Sequence, residues 1–115
     1  MQTANASRPG SARRLLLAFL FLTACSAPSV AGAEDHVVEI ANMAFSPAEI
    51  DVKVGDTVTF VNRDLVPHTA TASGGEWDSG SIGAGDEWSV TIDKAGETDY
   101  VCTFHPAMTG VVRSD

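Results

Sequence analysis

Glu49-Ile50-Asp51-Val52-Lys53-Val54-Gly55-Asp56-Thr57-Val58-Thr59-Phe60-Val61-Asn62 decides the fold class through its alternation. Ile50, Val52 and Val54 alternate with Asp51, Lys53 and Gly55, and Val58 and Phe60 alternate with Thr57 and Thr59. A period of two buries one face of an extended strand and leaves the other in water. Gly55-Asp56 is the turn signal between the two runs. Working outward, Trp88, Val90 and Ile92 alternate with Glu87, Ser89 and Thr91. Further turn signals fall at Ser46-Pro47, Ser73-Gly74-Gly75, Gly83-Ala84-Gly85-Asp86 and Lys94-Ala95-Gly96. The pattern predicts strands near 36–41, 49–54, 57–62, 68–72, 87–92, 98–102 and 110–113, with 73–86 an irregular, Gly-rich connection. Short strands with turns at this spacing imply an all-β sandwich. Phe45, Phe60, Trp77, Trp88 and Tyr100 are the expected core aromatics.

The start of the chain reads differently. Arg8, Arg13 and Arg14 precede the apolar run Leu15 to Ala24, and small residues lead to Ala31-Gly32-Ala33. A basic start, a short apolar stretch and an A-x-A site are the parts of an export signal. The run is too short for a membrane-spanning helix. Residues 1–33 are therefore expected to be a signal peptide and residues 34–115 the folded domain. Leu22-Thr23-Ala24-Cys25 also resembles a lipoprotein box, in which cleavage precedes a lipidated Cys25 and leaves a short tether. Both modes of processing remain open, and both place the domain outside the cytoplasm, in the periplasm.

From Glu34 onward there are 15 acidic residues against Lys53, Arg63, Lys94 and Arg113, a net charge of −11. Nucleic-acid binding needs basic patches and is excluded on charge. Such a surface favours basic protein partners, most strongly at low salt. A domain this small buries only about 60% of its unfolded surface and usually needs a staple. After Cys25, Cys102 is the only thiol, so no disulfide within the domain can serve. A metal could both hold a lone exported cysteine and supply the staple.

The ligand chemistry is concentrated in Tyr100-Val101-Cys102-Thr103-Phe104-His105-Pro106-Ala107-Met108-Thr109-Gly110. Cys, His and Met recur three residues apart. Pro106 and the preceding strand pattern disfavour a helix, so a tight loop is expected to gather the three side chains. His68, in Asn62-Arg63-Asp64-Leu65-Val66-Pro67-His68, supplies a second imidazole. Two His and one Cys with a long axial Met form the blue-copper set. Zinc would recruit more Cys or His in place of a thioether, and no C-x-x-C-H haem sequence is present. Taken singly, His68, Met108, Cys102 and His105 each have an ordinary structural reading; the combination points to copper. His36 has no partner in sequence and reads as a surface histidine.

The chain resembles the cupredoxins, in particular the group of amicyanins and small bacterial plastocyanin-like proteins. The resemblance runs from about His36 to Arg113. It is carried by Phe45-Ser46-Pro47, Val54-Gly55-Asp56-Thr57-Val58, Asn62 through Pro67-His68, Ala95-Gly96 with Asp99-Tyr100, and the Cys102 to Gly110 segment. It implies an eight-strand Greek-key sandwich with one type 1 copper at one end, held by His68, Cys102, His105 and Met108. It also implies a second-shell hydrogen bond from Asn62 to the vicinity of Thr103. Phe104 departs from the proline that amicyanin carries between two ligands. The implied function is one-electron transport between exported redox proteins, such as a periplasmic dehydrogenase and a c-type cytochrome, by a monomer that is not an enzyme. Pro106, Ala107 and Leu65 are expected to form an apolar collar around His105. Two rivals remain. A copper(I) chaperone or storage protein of the same fold would use Met and His without a thiolate. A metal-free immunoglobulin-like interaction domain would explain Tyr100 as its tyrosine corner but needs a second Cys inside the domain.

Overall fold

The structure is a computed structural model that describes residues 32–115. The expected signal peptide lies outside the described residues, apart from its last two positions. Among the described residues no helix is long and apolar enough to cross a membrane.

Among the described residues eight strands follow one another: β1 (Asp35–Ala41), β2 (Ala44–Ser46), β3 (Glu49–Val52), β4 (Thr57–Asn62), β5 (Thr71–Ala72), β6 (Glu87–Thr91), β7 (Gly96–Cys102) and β8 (His105–Ser114). They form two four-stranded sheets, ordered β2-β1-β4-β6 and β3-β8-β7-β5. The β1–β4 and β3–β8 pairs are parallel and the other pairs antiparallel. Alternation does what the sequence predicts. Val38 and Ile40 of β1 and Val58 and Phe60 of β4 meet Val52, Tyr100, Cys102 and Val112 of the other sheet in one buried cluster. Phe60, Tyr100 and Phe45 interlock edge to face, with ring centroids 4.7–6.1 Å apart, the preferred aromatic arrangement. Trp77 and Trp88 pack against this cluster while remaining partly exposed.

Several boundaries differ from expectation. β2 was not predicted. The Asn42-Met43 turn that creates it has both residues at positive φ, 54° and 61°, as a two-residue hairpin turn requires. Methionine is no turn signal, and the conformation is stabilised from elsewhere: Asp64 accepts hydrogen bonds from the Asn42 and Met43 amides at 2.8 and 3.0 Å. β3 stops at Val52, because Asp56 accepts the Lys53 amide at 2.9 Å and bends the chain. β5 is only two residues long, and His68 sits before it in an isolated bridge to Ile82. β8 starts at His105 rather than at 110, so the expected loop is a tight turn of Thr103 and Phe104 between paired Cys102 and His105. Tyr100 is no tyrosine corner, for its hydroxyl has no hydrogen-bond partner. Instead its ring lies over Gly110, its cross-strand partner.

Candidate metal centre

β7 ends at Cys102 and β8 begins at His105, so the strand pairing itself holds these two residues side by side. On β7 the next partner back, Val101, pairs with Thr109. One step along β7 thus corresponds to four along β8, and Pro106, Ala107 and Met108 are the extra residues of a bulge. Bulges re-aim side chains at strand ends. This one leaves Pro106 and Ala107 exposed and Met108 buried in the core cluster that also holds Cys102. His68 arrives on the segment between β4 and β5. Its backbone exchanges two hydrogen bonds with Ile82, at 3.1 and 2.7 Å, and its side chain is fully buried.

Three donor atoms converge. Cys102 Sγ lies 3.7 Å from His68 Nδ1 and 3.7 Å from His105 Nδ1, and the two Nδ1 atoms are 3.2 Å apart. With bonds of about 2.0 Å to nitrogen and about 2.3 Å to sulfur, ligands 120° apart would be separated by about 3.5 Å (N–N) and about 3.7 Å (N–S). The observed triangle fits one ion near the centre of its three donors. The donor chemistry fits copper, for thiolate and thioether suit its reduced state and imidazole both states.

His68 Nε2 is 2.8 Å from Asp64 Oδ2. An Nε2–H donated to that carboxylate leaves the Nδ1 lone pair facing Cys102, the usual outer support of a metal-bound histidine. The Met43 amide holds the Asp64 carboxyl below its ordinary pKa, aided by His68 and the Asn42 amide and opposed by desolvation. His105 is half-buried, and Phe104, Pro106, Ala107, Val66 and Leu65 are exposed, Leu65 at 94%.

The expected Asn62–Thr103 bond is corrected by the structure. Asn62 is fully buried, and its amide donates to the carbonyls of Val66 and Ile82, both at 2.9 Å, while its oxygen accepts the Asp64 amide at 2.9 Å. It shapes the His68 loop internally. The segments are joined by Thr69 instead. The Thr69 hydroxyl accepts the Thr103 amide at 2.8 Å and meets the Thr103 hydroxyl at 3.1 Å. The Thr69 amide donates to Cys102 Sγ at 3.3 Å. Thr69 and Asp64 were both missed in sequence; their only signals were adjacency to His68 and an acidic group four residues before it. His36 is likewise not a free surface residue, because its Nε2 lies 2.8 Å from the buried Asp56 carboxylate.

Comparison with known proteins agrees with this geometry. Residues 33–114 match the family described as copper binding proteins, plastocyanin/azurin family. Amicyanin of Paracoccus denitrificans is 40% identical over 81 residues, covering 66% of this chain and 62% of that protein, so the chain spans rather less than two thirds of that relative. Among solved structures, an amicyanin variant in its Cu(I) form aligns with a TM-score of 0.65 at 36% identity, over 70% of this chain and 82% of the other. A purple cupredoxin from Nitrosopumilus maritimus aligns with a TM-score of 0.63 at 27% identity, over 70% of this chain and all of the other.

Proposed function

Because the chain belongs to the plastocyanin/azurin family of copper-binding proteins and its cofactor is copper, we propose that it is a one-electron carrier whose ligands are His68, Cys102, His105 and Met108. The observation that carries this reading is the convergence of Cys102 Sγ and the two imidazole Nδ1 atoms to within 3.7 Å of one another. Copper bound there supplies the one-electron couple between Cu(I) and Cu(II).

The protein's part is to hold one arrangement in both states. Cys102 serves as a thiolate in a fully buried position, with the Thr69 amide donating to its sulfur. Hydrogen bonds to that sulfur tune the potential. His68 is fixed by the Asp64 carboxylate on one side and by the Ile82 backbone on the other. Met108, buried in the same core cluster as Cys102, would supply a thioether to the copper. Four protein donors leave no open position for a substrate, which suits a carrier and not an enzyme.

His105 is the ligand nearest solvent, so electrons would enter and leave at its exposed ring edge. Phe104, Pro106 and Ala107, next to His105 in sequence, are exposed apolar residues, as is Leu65, and exposed apolar surface suits small, short-lived redox interfaces. The net charge of −11 beyond residue 33 would speed encounter with a basic partner, such as a c-type cytochrome or a dehydrogenase. Export to the periplasm, by cleavage after Ala33 or before a lipidated Cys25, completes the proposal.

The test is the visible spectrum of the purified domain after addition of copper(II), repeated with Cys102→Ser. The reading requires an intense blue thiolate-to-copper band that mild reductant bleaches and the substitution abolishes. A colourless or merely pale protein would refute it.

A further inference from the structure

β1 and β4 are parallel neighbours, and both run toward the copper end, where the turn after β1 is bonded to Asp64 beside His68. Their starts therefore define the opposite pole, about a strand's length or roughly 20 Å away. There the register pairs Asp35 with Thr57 and His36 with Val58, which brings the residue before β4, Asp56, against the first residues of the described strand pair. We propose that Glu34, His36 and Asp56 form a second divalent-cation site at this pole, suited to a borderline transition ion such as Zn2+.

A single imidazole nitrogen is aimed at two carboxylates. His36 Nε2 lies 2.8 Å from Asp56 Oδ2 and 4.0 Å from Glu34 Oε2, and the three donor atoms all fall within 4.8 Å of one another. Around an ion with bonds of about 2.1 Å, ligand atoms sit about 3.0 Å apart at right angles and at most about 4.2 Å apart when opposed. The distance from His36 to Glu34 falls in that range, and the 2.8 Å distance to Asp56 lies just below it, so a bound ion would widen that pair by a few tenths of an ångström. The third pair closes by rotation of Glu34, whose side chain is 77% exposed and free to turn.

Asp56 is already set up as a ligand. It is 4% exposed, and the amides of Lys53 and Glu34 donate to its two oxygens, both at 2.9 Å. Those bonds and His36 hold its carboxyl at a pKa of about 2, so it is ionised at neutral pH, as a metal ligand must be. The nearest cation, Lys53, is occupied by Asp115 at 3.2 Å. Beside the site is a groove of about 600 Å³ lined by Glu34, His36, Asp51, Lys53, Asp56 and Asp115, which has room for the waters that would complete the ion's shell. An all-oxygen cluster would suit Ca2+ or Mg2+; the imidazole shifts preference to Zn2+ and its neighbours.

The experiment is calorimetric titration of Zn2+ into the copper-loaded protein, with the visible band followed in parallel so that zinc entering the first centre registers as lost absorbance. One equivalent of Zn2+ should bind with the band unchanged and should raise the melting temperature, as a ligand of the folded state must. His36→Gln should weaken that binding at least about tenfold, no less than loss of an outer-sphere support does, and Glu34→Gln several-fold. Both positions are at the surface end of the site, so neither test depends on Asp56, whose replacement could disturb the turn. Zinc uptake that is absent, that His36→Gln leaves unchanged, or that occurs only with loss of the visible band would overturn the proposal.

Discussion

Thr69→Val replaces a hydroxyl by a methyl group of similar size and tests whether this side chain is what joins the two halves of the metal centre. The Thr69 hydroxyl bonds the Thr103 amide, the Thr103 hydroxyl and the Thr71 hydroxyl, at 2.8, 3.1 and 3.0 Å. Each such bond contributes about 1 kcal/mol net. Thr69 is 2% exposed, so its own side of these bonds has no water to fall back on, whereas Thr103 is exposed and recovers part of its loss to solvent. The sum is about 2 kcal/mol. For a domain of this size that corresponds to a fall of about 8–16 °C in Tm. Thermal unfolding of the copper-free protein, followed by circular dichroism, reads it directly. Thr71→Val removes the Thr71–Thr69 and Thr71–Asp78 bonds but leaves the bridge to Thr103 intact, and is the control. A copper-free Tm within about 2 °C of the parent, or a loss no greater than that of Thr71→Val, would show that Thr69 does not join the segments.

Gly110→Ala should destabilise the fold by about 3 kcal/mol or more, since a Cβ there would overlap the ring of Tyr100 and overpacking a filled core is costly; denaturant midpoints measure it, and a change under about 1 kcal/mol would refute the packing argument. Asp56→Asn should flatten the acid limb of stability. The Asp56 carboxyl titrates at about 2 when folded against 3.8 ordinarily, so its contribution is complete above about pH 4 and lost as pH falls toward 2. Urea unfolding from pH 5 to pH 2 should show a shallower slope in the variant, and an unchanged slope would count against the Asp56 contacts.

What could be read from the residues in order was whatever depends on near neighbours. Alternation located β3, β4 and β6, because the side-chain period of a strand is a property of the backbone. The four candidate ligands stood out because a thiol, a thioether and two imidazoles form a donor set that suits few ions besides copper. Partners across the fold were not legible. The Asn42-Met43 turn owes its left-handed backbone to the carboxylate of Asp64, 21 and 22 residues away in sequence. The bridge between ligand segments fell to Thr69 rather than Asn62, because Asn62 is turned inward and spent on Val66 and Ile82. His36, unremarkable in its own stretch, acquires the buried Asp56 carboxylate only when β1 and β4 lie side by side. Periodicity and donor chemistry are local and survive in the sequence; the direction of a hydrogen bond depends on where distant chain segments come to rest, and only the packed sandwich sets that.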